Sequence, residues 1–253
     1  MKNKIKKIKK NRNFSDSKQN SYVKTQGSEL KAISKSTKPI TKFKKTGSGL
    51  GPNGQVWLYG IHTVKAALSN PKRKKYRLMV NETSPNLSAI NDEEIRTEFV
   101  PRQQIDSIFP LDTVHQGVAL LVAPLKYEPL NYLCENADEN AMIVVLDQIT
   151  DPRNIGAILR SASAFNAACV VIPTKYAPQM TPALAKSASG ALDQIPIVSA
   201  ANISRTIDTL KKSGFWIMGL DSGVRQVLSE TKINGKIALV LGAEGSGLRR
   251  LTK

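Results

Sequence analysis

The sequence predicts an α/β protein with a mainly parallel, doubly wound sheet. Short apolar, β-branched runs alternate with stretches of helical period from residue 142 onward. Two of those runs, MIVVLD and IALVL, pass directly into sharp polar turns, and Asn154, Arg160 and Glu244 lie on or just beyond them. In an open α/β sheet, ligands gather where strands end and helices begin, so the two turns predict one composite site. With 253 residues, 41% of them hydrophobic, the chain is long enough to bury a core in one or two domains.

The elements follow in order. Residues 1–54 are rich in Lys, Ser, Thr, Asn and Gly and poor in large apolar side chains, so they read as a basic, disordered tail. Val56 opens a small α/β unit, residues 55–124. Val64, Ala67 and Leu68 sit at helical spacing, Tyr76 to Val80 reads as a strand, and Asn86 to Asn91 is too polar to assign. A short helix with Pro101 near its start lies within Phe99 to Phe109, and Val118 to Ala123 is a closing strand. Residues 125–140 read as a linker. Residues 141–253 then give a buried strand at Met142 to Asp147, a helix from about Asn154 to Phe165 with Ile155, Ile158, Leu159 and Ala162 inward, and a strand at Ala168 to Ile172. A helix over Pro182 to Leu192, a strand at Ile195 to Val198 and a helix at Ile203 to Lys212 come next. Strands at Phe215 to Leu220 and Ile237 to Leu241 close the pattern.

The net charge of +17 is uneven. Residues 1–50 hold 15 Lys and Arg against Asp16 and Glu29, a net +13, and the remaining 203 residues net only +4. Such a tail attracts phosphates through counterion release, without sequence preference; a solvated extension is the bland alternative. A second basic run, Lys72, Arg73, Lys74, Lys75 and Arg77 around Tyr76, is a candidate phosphate contact, with a solvated loop as its alternative. No apolar run approaches the length of a membrane-spanning helix, and the basic N-terminus lacks the apolar stretch of a secretory signal. Cys134 and Cys169 form no metal-ligand spacing and suit a reducing cytoplasm. Cys169 reads as a small buried hydrophobe. His62 and His115 are too far apart in sequence to imply a metal pair.

Several motifs carry a resemblance. D-P-x-N-x-G-A-x-x-R-x-A (Asp151 to Ala162), K-S-A-S-G-A-L (Lys186 to Leu192) and L-G-A-E-G-x-G-L (Leu241 to Leu248) resemble the SpoU/TrmH RNA 2′-O-ribose methyltransferases of the SPOUT superfamily. Y-G-I-H-T-V-x-A-A-L (Tyr59 to Leu68) and H-Q-G-V-A-L (His115 to Leu120) resemble the small RNA substrate-binding domain of its ribosomal RNA members. Spacing alone predicts a plain Rossmann-like sheet; the resemblance implies a trefoil knot. The family's third motif, I-P-M followed by S-L-N-x-S and a last helix, has no counterpart before Lys253. The expectation is therefore a C-terminally truncated methyltransferase domain without a complete knot.

The resemblance implies S-adenosylmethionine as methyl donor and RNA as substrate, with ribosomal RNA favoured over transfer RNA. It also implies a homodimer. The 2′-hydroxyl must be placed against the methyl carbon and its developing charge stabilised, which requires no metal. By resemblance Arg160 activates that hydroxyl. Arg is a poor general base, so clamping phosphate and stabilising the alkoxide is the better physical role. Asn154 and Arg160 are six residues apart, about 600° of helical rotation, so they share a face only if Asn154 precedes the helix as its cap. By resemblance Glu244 supports the arginine and the substrate, and the backbone of Gly242, with Ala243 and Gly245 beside it, meets the cofactor. Ser187, Ser189 and Gly190 are equally suited to close packing against the sheet and to RNA contact. A non-catalytic RNA-binding chain, or an inactive truncated product, is the competing expectation.

Overall fold

The computed structural model describes residues 47–83, 90, 94–176, 180–221, 223, 227–231, 233–250 and 252. The tail expected over residues 1–54 lies outside them as far as residue 46, as does all of Asn86 to Asn91 except Ile90. The described residues fall in one compact unit spanning Lys44–Lys253.

Two sheets organise that unit. The first has β1 (Val56–Tyr59), β2 (Lys75–Val80), β3 (Thr97–Phe99) and β4 (Val118–Val122) in the order β1-β4-β2-β3. The strand expected to close this sheet, β4, lies inside it, antiparallel to both β1 and β2. All five of its residues are buried, which follows from having a strand on each edge and a packed layer on each face. Strand β3 was not anticipated: it is three residues long and pairs parallel with β2. Helix α1 (Ile61–Ser69) buries Val64, Ala67 and Leu68 as the spacing predicts. Helix α2 (Arg102–Asp106) follows Pro101.

The second sheet has β5 (Met142–Leu146), β6 (Cys169–Pro173), β7 (Ile197–Ala200), β8 (Trp216–Leu220) and β9 (Ile237–Leu241), all parallel, in the order β7-β6-β5-β9-β8. The chain starts in the middle at β5 and winds outward through β6 to β7. It then crosses to β8 and returns with β9 beside β5. The direction of winding reverses between β5 and β9, and the C-terminal ends of these strands are where such sheets bind ligands.

Helices cover both faces of β5, β6 and β7, while β8 leaves Trp216 and Leu220 exposed at the sheet edge. On one face α4 (Pro152–Ala164) and α5 (Pro182–Ala188) pack through Ile155, Leu159, Leu184 and Ala185 into a core shared with α1 and the first sheet. On the other, Cys134 of α3 (Leu130–Glu135) and Ile203, Ile207 and Leu210 of α6 (Ile203–Lys212) join Val145, Val171 and Val240. Residues 125–140 are therefore more than a linker, because they carry α3 and the Glu128 amide donates to the Ile197 carbonyl at the sheet edge. The helix expected over Pro182 to Leu192 ends at Ala188, where Ser189 (φ 50°) and Gly190 (φ 98°) turn left-handed before a short 3₁₀ turn at Ala191–Asp193.

Both cysteines are buried and unpaired. Burial pushes the Cys169 thiol up to about 12, and raises that of Cys134 as well. Because the thiolate is the reactive form, the native chain should resist a thiol reagent at pH 8. Two equivalents should react on denaturation, and rapid labelling of the native chain would contradict this packing.

Candidate active site

Strands β5 and β9 end level with each other, Leu146 opposite Leu241, so the turns that follow them leave side by side. After β5, Asp151 caps α4 by accepting a hydrogen bond from the Arg153 amide at 2.8 Å, and Pro152 occupies the first helical position. This corrects the expected boundary. Asn154 is inside the first turn, not ahead of it, and the cap is Asp151. Asn154 and Arg160 are thus about 120° apart around the axis and about 9 Å apart along it.

After β9, Ala243 and Gly247 exchange backbone hydrogen bonds of 3.1 and 2.8 Å, closing a tight loop with Glu244 at its tip. Gly242 opens the loop where a side chain would run into the Gly247 backbone, so the loop itself demands glycine there. Arg249 fixes the far end: its amide and Nε both donate to the Asp147 carboxylate, at 3.1 and 2.6 Å, and that carboxylate is fully buried. Asp147, at the end of β5, also donates its amide to the Leu241 carbonyl. The loop is consequently pinned at both ends to the switch point. Sequence reasoning did not single out this anchor, because its partners are 102 residues apart.

The structure brings two of the three expected catalytic side chains together: Asn154 Nδ2 donates to Glu244 Oε2 at 3.3 Å. Arg160 stands apart, exposed on α4, and bonds to none of the described residues. The close packing expected of Ser187 is present, but against a helix: a side chain at Gly156 of α4 would collide with Ser187 of α5, and Ser187 Oγ donates to the Arg153 carbonyl at 3.1 Å. Gly242, Ala243 and Gly245, the residues expected to meet the cofactor, lie together on this loop, where Gly245 (φ 88°) is exposed with open space beside its Cα.

The basic run is largely committed within the chain. Arg73 is corrected from phosphate contact to core element: its side chain is 3% exposed and binds the fully buried Asp193 carboxylate through Nε and Nη2 at 2.7 and 2.9 Å. Its Nη1 donates to the Ala123 carbonyl. Lys75 pairs with Glu94 and Arg77 with Glu98. Lys72 bonds Glu128, which raises the affinity of its amine for a proton, but remains exposed; Lys74 lies over the Tyr76 ring at 5.4 Å. His115 is fully buried, accepting from the Gly117 amide and bonding Asp106 at 2.6 Å, whereas His62 is exposed. Gln116, next in sequence to His115, accepts from Lys186 Nζ at 2.7 Å, and burial lowers the pKa of that lysine. Among the described residues no cluster of His, Cys, Asp and Glu is placed to hold a metal ion.

Comparison with known proteins agrees with this architecture. The model of the SpoU rRNA methylase family matches residues 141–253, and that of RNA 2′-O ribose methyltransferase substrate binding matches residues 57–128. The 23S rRNA (guanosine-2′-O-)-methyltransferase RlmB of Pseudomonas putida is 34% identical over 205 residues, covering 78% of this chain and 82% of its own. That of Pasteurella multocida is 36% identical over 206 residues, covering 78% and 83%. The putative TrmH family tRNA/rRNA methyltransferase YacO of Bacillus subtilis is 33% identical, covering 72% and 76%. Among solved structures, the SpoU methyltransferase AviRb of Streptomyces viridochromogenes in complex with AdoMet superposes with a TM-score of 0.64 at 19% identity, covering 78% of this chain and 76% of that one. An rRNA methyltransferase from Sinorhizobium meliloti gives 0.62 at 20%, covering 78% and 74%.

Proposed function

This chain belongs to the SpoU rRNA methylase family and is an RNA 2′-O-methyltransferase, and from that premise we propose that it methylates a ribose of 23S ribosomal RNA. The observation that carries the reading is the convergence of the β5–α4 turn and the pinned 242–248 loop at the switch point of a parallel sheet, with Asn154 bonded to Glu244 across them.

S-adenosylmethionine supplies an electrophilic methyl carbon. The ribose O2′ forms a bond to that carbon as the carbon–sulfur bond breaks, and the hydroxyl proton leaves to phosphate or solvent. Gly242, Ala243 and Gly245 present backbone to the donor. Glu244, held by Asn154, presents a carboxylate oxygen at the loop tip to orient a hydroxyl. Arg160, standing about 9 Å further along α4, holds the substrate phosphate and stabilises the developing alkoxide. Its lack of a partner among the described residues leaves its guanidinium fork available for that work. Exposed Lys72 and Lys74 and the basic tail add phosphate contacts, with residues 55–124 as the substrate-binding domain and 141–253 as the methyltransferase domain. Assembly as a homodimer and a cytoplasmic location belong to the same reading. No helix among the described residues is long and apolar enough to cross a membrane.

The test is transfer of labelled methyl from S-adenosylmethionine to unmodified 23S ribosomal RNA, with the label located by nuclease digestion. Label at a ribose is expected. Cofactor binding should also raise the melting temperature of the chain alone. RNA binding with neither label nor thermal shift would favour the non-catalytic alternative.

A further inference from the structure

A groove of about 400 Å³ lies at the seam between the two sheets, and no role assigned above uses it. One wall is the exposed stripe of α1, with His62, Lys65 and Ser69 at helical spacing opposite the buried Val64, Ala67 and Leu68. The other wall is the turn from Ser189 to Gln194 that follows α5.

Three features define what it fits. Its width is set by the core, because Arg73 and Asn70 Nδ2 from the α1–β2 connection bond the buried Asp193 carboxylate of the opposite wall. Thr63 Oγ1 of α1 adds a bond to the Ala185 carbonyl of α5. Its chemistry is that of a hydrogen-bonding, cationic surface: Lys65 is exposed and pairs with none of the described residues, while the one acid in the lining, Asp193, is neutralised by Arg73. The His62 imidazole is the one aromatic ring in its lining, so it offers at most a single stacking surface to a base and little for an apolar peptide to bury against. It adjoins the C-terminal half of α4: Gln194 of its lining accepts from Ser163 Oγ at 3.1 Å, and Ser163 is one helical turn from Arg160.

We infer that this groove is the track for the ribose–phosphate backbone of the RNA strand flanking the methylated nucleotide, with Lys65 on a phosphate and the neutral donors on phosphate and 2′-hydroxyl oxygens. The inference rests on RNA being the substrate, as proposed above, and adds the path by which the strand reaches Arg160.

Fluorescence anisotropy of the full chain on a 23S ribosomal RNA fragment, across a salt series, tests it. Lys65→Glu should weaken binding roughly tenfold and reduce the slope of log affinity against log salt by about one. The charge-matched Lys212→Glu, at the end of α6 on the opposite face of the large sheet, should leave the slope nearly unchanged. S-adenosylmethionine affinity and melting temperature should be the same in both variants. Equal losses in the two variants would overturn the groove while leaving the methyltransferase reading intact. A wild-type chain that binds no ribosomal RNA would overturn both.

Discussion

Replacing Arg160 by alanine is expected to lower kcat for methyl transfer by about 10²–10³-fold, the usual cost of removing one donor aimed at developing charge. RNA affinity should fall only by the few-fold that one phosphate contact supplies, a smaller effect than that on kcat, and cofactor affinity should change little. Arg160 is exposed on α4 and bonds to none of the described residues, so its removal leaves no buried partner unsatisfied and the fold intact. The cofactor rim is held elsewhere, by the Asp147–Arg249 pair and the backbone bridge between Ala243 and Gly247. Arg160→Lys should recover only part of the rate, since an ammonium keeps the charge but loses the planar two-pronged donor. Single-turnover kinetics at saturating S-adenosylmethionine and RNA separate the cases. An unchanged kcat would remove Arg160 from the reaction; a raised KM with normal kcat would make it a binding residue only.

The centre of the large sheet was legible because β5 and β6 are buried on both faces, and such burial writes short, unbroken β-branched runs such as MIVVL into the sequence, whereas β8 leaves Trp216 and Leu220 exposed and was marked only by its apolar run. The elements that escaped lack local signals. Helix α3 has six residues and no side-chain cap, and β3 has three half-exposed residues whose pairing depends on β2. The start of α4 was misplaced although its signal was present: Asp151 followed by Pro152 is a cap and a first helical residue, while Asn154 drew attention as the residue with chemistry. Site legibility divides in the same way. The turns holding Asn154 and Glu244 each announce themselves by local sequence, and the sheet then brings them together. The partners that hold the site are set by tertiary distance alone. Nothing near Asp147 points to Arg249, and nothing in a run of five basic residues marks Arg73 as the one that turns inward to Asp193.

That inward turn has the largest expected effect on stability. Asp193→Ala would leave the Arg73 guanidinium buried with the Ala123 carbonyl as its remaining partner among the described residues, and breaking one side of a buried ion pair costs about 3–5 kcal/mol. For a chain of this size that corresponds to a fall in melting temperature of roughly 6–20 °C. Replacing the pair together, Arg73→Met with Asp193→Leu, should restore most of the loss, because apolar side chains of similar volume spare the cost of desolvating two charges. The comparison separates two meanings of the basic run. If Arg73 served phosphate contact, Asp193→Ala would free a cation, raise RNA affinity and leave the melting temperature alone. If Arg73 is a core residue, the single variant unfolds early and the double variant is stable. The double variant should still bind RNA more weakly than wild type, since the hydrogen bonds of Arg73 and Asn70 to Asp193 that set the spacing of the groove walls are gone.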